Sequence, residues 1–289
     1  MGSGWYLGPV GACREIPAPV RGLEVGRELI GAEAVSLGGT RTLYRRAQPR
    51  SWALSWPTLS EDELTYLRLV GLGLIGSPAR LIDPMVRNLL PVQVATGGSY
   101  RRDTSRFLIT GGSTMSWVAV ADPPTAVPVR GAISWVRATT AAATLTGGDV
   151  ADRVPLVGRK VRLGIWARGT AIAVSPAADA YNAAGSAATT TGTAATLHVT
   201  EWRYLAVDLT PAADRVSAVP VLSAANGQAA STVQTTGWQL AFCDRPAEQP
   251  QDWTEGGGAP EVLAGSELTA RYERWQRHRY ALLLRERRV

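Results

Sequence analysis

The sequence predicts a mainly β chain with one short helix and a β-sandwich. Three observations carry this. Trp52, Leu54 and Trp56 alternate with Ser51, Ala53 and Ser55, the period of a half-buried strand. A single capped helix follows at Ser60. From Thr104 onward, strand-like runs recur without intervening helices, which argues a β-sandwich.

Short strands over Arg21–Val25, Ala34–Leu37 and Thr40–Tyr44 open the chain, bounded by Gly31, Gly38 and Gly39, with Gly38-Gly39 as a hairpin signal. Pro57 is expected to end the Ser51–Trp56 strand. Ser60 then stands at an N-cap with Glu63 three residues on, the pattern of a capping box. Glu61, Asp62 and Glu63 put negative charge at the positive end of the helix dipole. Leu64, Leu67, Val70 and Leu74 follow at helical spacing, and Gly76 and Pro78 stop the helix. Ala79–Ile82 and Leu90–Ala95 read as strands, and Gly97-Gly98-Ser99 as a turn or boundary.

Beyond Thr104, strands are expected at Gly131–Ala138, Arg159–Arg168, Ala194–Val199, Trp202–Leu209, Arg215–Ser223 and Thr235–Cys243. Ser175–Gly192, rich in small residues, reads as a long loop or a weak hairpin. Near the end, Tyr280, Leu282 and Leu284 alternate with Arg279, Ala281, Leu283 and Arg285, a strand with one apolar face. Leu268–His278 reads as a short helix or an extended return.

Charge follows the same division. Residues 1–103 hold 12 Arg and 9 acids, giving +3; residues 104–264 hold 11 bases and 12 acids, giving −1; residues 265–289 hold 7 Arg and 3 acids, giving +4. Basic ends invite a nucleic-acid reading. With Lys160 the only lysine and a composition rich in Ala, Gly, Arg and Pro, the arginines read better as coding bias and as interface residues, so no nucleic-acid recognition is expected. There is no apolar run of about 18 residues, so no membrane span is expected, and Met1–Pro17 does not read as a secretory signal. Cys13 and Cys243, far apart, form neither a disulfide framework nor a zinc site and read as buried thiols. No metal is expected.

Gly71-Leu72-Gly73-Leu74-Ile75-Gly76 matches G-x-G-x-x-G, but a helix precedes it and Pro78 follows. A dinucleotide site needs the reverse order, so this reads as a helix end and no cofactor is expected. Asp149, Asp152, Asp208 and Asp214 supply carboxylates without a spacing that pairs them, and no nucleophile, acid or base set converges. No catalytic residue and no enzymatic activity are expected. Ten Trp stand against two Phe. Trp52, Trp56, Trp135, Trp166, Trp202 and Trp238 lie in apolar strands and read as core. Trp117, Tyr181 and Trp253 lie in loop-like stretches and are the candidate glycan contacts.

Two stretches resemble known families. Trp52, Trp56, Ser60, Glu61, Glu63, Leu64, Leu67, Gly76, Leu81, Asp83 and Pro84 resemble, in order, the N-terminal domain of distal-tail or minor tail proteins of long-tailed phages, and Arg87-Asn88-Leu89-Leu90 is similar to the actinobacterial-phage version. Ala132–Ala138, Glu201-Trp202-Arg203, Gly237–Leu240 and the Asp252–Pro260 tail resemble jelly-roll carbohydrate-binding modules as they occur in phage tail proteins. The resemblance implies a barrel-like domain from residues 1–103 and 261–289, interrupted by a sandwich at 104–260. It also implies a virion tail-tip component assembled in the host bacterial cytoplasm. Such a protein forms a ring, hexameric in this family, and meets the tail tube, hub and tape-measure proteins. Its sandwich serves as a spacer or contacts a host-surface glycan. The rival reading is a glycan-binding adhesin in which the sandwich is the working part.

Overall fold

The computed structural model describes residues 4–20, 25–27, 30–36, 38–47, 49–76, 78–226, 230–244, 253–274 and 277–287. The chain is mainly β. It opens with β1 (Tyr6–Gly8), β2 (Arg14–Glu15), β3 (Val25–Arg27), β4 (Ile30–Val35), β5 (Arg41–Ala47) and β6 (Arg50–Leu59). Helix α1 (Glu61–Gly71), β7 (Ala79–Ile82) and the one-turn helix α2 (Val92–Ala95) follow. Then come β8 (Phe107–Ile109), β9 (Ser113–Ala119), β10 (Gly131–Arg137), β11 (Ala143–Gly147), β12 (Val154–Pro155) and β13 (Val161–Gly169). The next strands are β14 (Ala173–Asn182), β15 (Ala187–Thr191), β16 (Ala195–Thr196), β17 (Arg203–Leu209), β18 (Arg215–Ala224) and β19 (Ser231–Phe242). The chain closes with β20 (Glu261–Arg274) and β21 (Arg277–Glu286).

Contacts divide the chain into two compact units, Met1–Asp83 with Pro260–Val289, and Pro84–Ala259. The first boundary falls at Asp83, not at residue 103. Asn88 accounts for the difference. It is fully buried, and its Nδ2 donates to the carbonyls of Trp238 (3.0 Å) and Thr254 (2.9 Å). Its Oδ1 accepts from the backbone N–H groups of Leu90 and Leu240, each at 3.2 Å. A buried amide satisfied in this way ties 84–103 to the sandwich strands.

In the first unit, seven strands form one sheet in the order β2-β1-β7-β20-β21-β6-β3, and β4 pairs with β5 in a separate hairpin. The hairpin turns through Gly39 at φ +79, a left-handed conformation suited to glycine. Arg21–Glu24 and Leu37 lie outside the described residues. β6 and β21 bury one face each: Trp52, Leu54, Trp56 and Leu59 meet Tyr280, Leu282 and Leu284. Helix α1 covers them with Leu64, Leu67 and Val70. Burying a leucine side chain is worth about 2 kcal/mol. Ser60 caps α1 through both halves of a capping box, Glu63 N–H to Ser60 Oγ and Ser60 N–H to Glu63 Oε2.

Several expectations change here. Pro57 does not end its strand; β6 runs to Leu59, and the pairing with β21 shifts register between His278 and Tyr280, which accommodates the missing N–H. The helix ends at Gly71 rather than Gly76, with Gly73 at φ +70, so Leu74 is exposed. Leu90–Ala95 is not a strand: Ala95 and Thr96 donate to Pro91 and Val92, closing helix α2. Of Leu268–His278, the described residues 268–274 and 277–278 are extended, in β20 and β21.

The second unit is a β-sandwich of the jelly-roll kind. Five strands run in the order β17-β13-β19-β10-β9, and the other sheet follows β15-β14-β18-β11-β8, with β12 on β18 and β16 on β14. The chain crosses between the sheets repeatedly, as from β8 to β9, β10 to β11, β13 to β14 and at each step from β16 to β19. Ser175–Gly192 is a formed hairpin, Ala177↔Thr191 to Tyr181↔Ala187, and β14 is an inner strand paired with β18. Strands β8, β9 and β11 fall on stretches from which no strand was expected. Between the sheets lie Ile133, Trp135, Leu145, Leu163, Ile165, Leu222, Val233, Trp238 and Leu240, all buried. Phe107 meets Trp238 edge-on, centroids 5.7 Å apart.

Candidate binding groove

The site sits on the outer face of the five-stranded sheet. In β13, Val161, Leu163, Ile165 and Ala167 point inward and are buried, which turns Arg162, Trp166 and Arg168 outward. β17 repeats the pattern, with Leu205, Val207 and Leu209 inward and Tyr204 and Asp208 outward. The register sets Trp166 opposite Tyr204 and Arg162 opposite Asp208. The Trp166 and Tyr204 rings lie 5.4 Å apart at 50°. Tyr204 lies over Gly164, where a side chain would collide with its ring. Glycine is needed there for the close approach.

Trp166, Tyr204 and Trp202 line a groove of ≈ 440 Å³ together with Thr196, His198, Glu201 and Arg203. This volume is in the range of small-ligand sites. Trp202 is braced from behind. Its Nε1 donates to the Asp122 carbonyl at 2.7 Å, and Arg168 stacks on its ring at 4.6 Å. Arg168 in turn donates to Gln234 (2.8 Å) and Asp122 (2.7 Å). Such bracing fixes the ring plane.

Next to Tyr204 stands a charged cluster. Arg162 grips Asp208 through two N–H groups (2.5 and 3.0 Å), and Lys160 reaches the same carboxylate at 2.8 Å. These cations hold the Asp208 carboxyl down at about 2. Burial raises the Tyr204 phenol above its ordinary value, with Arg162 opposing.

The structure places the expected residues differently from the sequence reading. Trp52, Trp56, Trp135 and Trp238 are core, at no more than 1% exposed. Trp166 and Trp202 are not; both are partly exposed and line the groove. The reason is strand parity for Trp166 and a position just before β17 for Trp202. The three candidate glycan contacts are tethered outside the groove lining. Trp117 lies on β9, not in a loop, packs on Gly98 and Gly131, and donates weakly to Ser99 at 3.4 Å. Tyr181 lies on β14 with the Arg153 guanidinium 3.5 Å above its ring. Trp253 donates to the Ala95 carbonyl at 3.3 Å.

Among the four aspartates, Asp149 and Asp152 share one 3-10 turn as a capping box, and Arg106 pairs with Asp152 at 2.7 Å. Burial raises the Asp152 carboxyl, the pairing with Arg106 opposing. Asp214 lies beside Arg215. Among the described residues no group of His, Cys, Asp and Glu is arranged to hold a metal ion, and no helix is long and apolar enough to cross a membrane.

No family model matches the chain, and no curated protein matches it. Several solved structures are similar in fold. One is the enzymatically active domain of bacteriophage CBA120 tailspike protein 4, at 15% identity and TM-score 0.41, covering 56% of this chain and 22% of that one. Another is the CBM22-1 xylan-binding domain of Paenibacillus barcinonensis Xyn10C, at 10% identity and TM-score 0.40, covering 54% and 96%. A third is TmCBM61 in complex with β-1,4-galactotriose, at 16% identity and TM-score 0.38, covering 54% and 99%. At these values the likeness extends to fold alone, and the groove's chemistry follows from its own residues.

Proposed function

We propose that the second unit binds a glycan, without hydrolysing it, in the groove of Trp166, Trp202 and Tyr204. The observation that carries this reading is the exposed Trp166–Tyr204 pair on the outer sheet face. Two large rings left partly open, one of them accommodated by a glycine, offer apolar platforms for sugar faces. Thr196, His198, Glu201 and Arg203 line the same groove and supply donors and acceptors for hydroxyls. Asp208 is held as an anion by two cations, which unsuits it for a general acid. A glycan array probed with the full chain tests this: retention on at least one polysaccharide is expected, and no retention on any contradicts it.

A second observation supports self-assembly, and through it the reading as a ring-forming component of a phage tail tip, located in the virion, that rests on the sequence resemblance. β20 pairs with β21 along its length but with β7 only at Glu261 and Val262. From Leu263 to Arg274 its other edge carries no strand among the described residues. An open edge of that length invites a strand from a neighbouring copy. In this reading copies of the first unit close a ring between the tail tube and the hub and tape-measure proteins, and the sandwich meets a host-surface glycan. Native mass spectrometry of the full chain tests it, with a closed oligomer expected and a monomer at every concentration against it.

A further inference from the structure

We propose that the second unit holds a small inorganic monoanion, of the halide class, between its sheets at Arg137. Arg137 is the last residue of β10 and is 1% exposed. It lies on the inward face with Ile133 and Trp135, an apolar stripe into which an unpaired cation does not belong. Its Nη2 donates to the carbonyls of Ala141 (2.7 Å) and Ala225 (3.5 Å). Its Nε and Nη1 are enclosed and have no partner. No carboxylate pairs with Arg137 among the described residues.

The neighbours are of one kind. The register sets Ser113 of β9 directly opposite Arg137 on one side and Ser231 of β19 on the other. Directly opposed residues point to the same face. Both hydroxyls are enclosed and without a partner, and so is the indole Nε1 of Trp135, two residues back on the same face. Five of the nine enclosed side-chain polar atoms that lack a partner among the described residues belong to this patch. The guanidinium and indole nitrogens only donate, and each hydroxyl has a proton to donate. A guanidinium does not escape the cost of burial by losing its proton. A water would accept only two of these hydrogen bonds and bring no charge. A halide beside the guanidinium accepts several hydrogen bonds at once and neutralises the cation. Bound there, it would fasten the ends of β9, β10 and β19 to the two carbonyl-bearing loops that Arg137 holds.

The test uses the full chain at constant ionic strength, in potassium bromide or chloride against potassium methanesulfonate, a much bulkier monoanion. A saturable rise in Tm with halide is expected, about 4 °C at tenfold the Kd. Bromide-containing crystals should show anomalous scattering beside Arg137. Arg137→Met should abolish the halide response. Should that variant fail to fold, Ser113→Ala with Ser231→Ala should shift the halide midpoint upward about tenfold. Equal Tm in halide and methanesulfonate, a response unchanged in the double serine variant, or density without anomalous signal, meaning water alone, would overturn the proposal.

Discussion

Trp166 faces Tyr204 across the β13–β17 pair at the point where β13 shifts register against β19, between Gly164 and Trp166. The shift and the glycine together shape the groove. The irregularity changes the pairing beside Trp166, and Gly164 lets the tyrosine settle against the sheet.

Gly164→Val should therefore lift Tyr204 off the sheet and weaken glycan binding about tenfold, equivalent to ~1.4 kcal/mol. Binding of the variant, compared with that of the parent by titration calorimetry, checks this; unchanged affinity would separate the Tyr204 position from binding.

The Asp208 cluster gives a pH signature. Its carboxyl is depressed from 3.8 to about 2 by Arg162 first and Lys160 after. A depressed carboxyl contributes stability that is present above the unfolded value and lost as pH falls through the folded one. Asp208→Asn should thus be less stable than the parent near neutral pH, modestly so because the group is 31% exposed. The gap should close as pH falls from 3.8 towards 2. A gap that persists at the acid end would point to packing instead of the ion pairs.

Ser60→Ala should destabilise the first unit by about 1 kcal/mol, the usual worth of an N-cap. Chemical denaturation followed by fluorescence reads this, since Trp52 and Trp56 lie in the core that α1 covers.

Leu282 sits in β21 opposite Leu54 of β6 and is 1% exposed. Leu282→Ala should cost about 3 kcal/mol. A chain ending at residue 264 loses β21 and uncovers one edge of β6, so its first unit should be unstable or insoluble. Folding of that shortened chain with parental stability would show that the closing hairpin is dispensable.

Much of the first unit was legible because its signals are local. Alternation over Ser51–Trp56 and over Tyr280–Leu284 marks β6 and β21, and the Ser60–Glu63 pair marks where α1 begins. Leu90–Ala95 was not legible, since a short apolar run suits a helical turn as well as a strand. The groove was not legible as a site: Glu201-Trp202-Arg203 stands out only as a family resemblance, Trp202 reads as core, and Trp166 reads as core because its strand is apolar. Its parity carried the missing signal: Trp166 shares a face with Arg162 and Arg168, opposite Val161, Leu163, Ile165 and Ala167. The same parity test exposes Arg137, a cation in phase with Ile133 and Trp135. The capture of 84–103 by the sandwich depends on Asn88 bonding to residues distant in sequence, which no local pattern encodes.

Titration calorimetry of the full chain with the polysaccharide it retains best tests glycan binding at the groove most directly. Binding should be lost in Trp166→Ala and in Tyr204→Ala while Trp253→Ala, outside the groove lining, binds as the parent does. Binding that survives both groove substitutions, or that disappears only with Trp253→Ala, would contradict it.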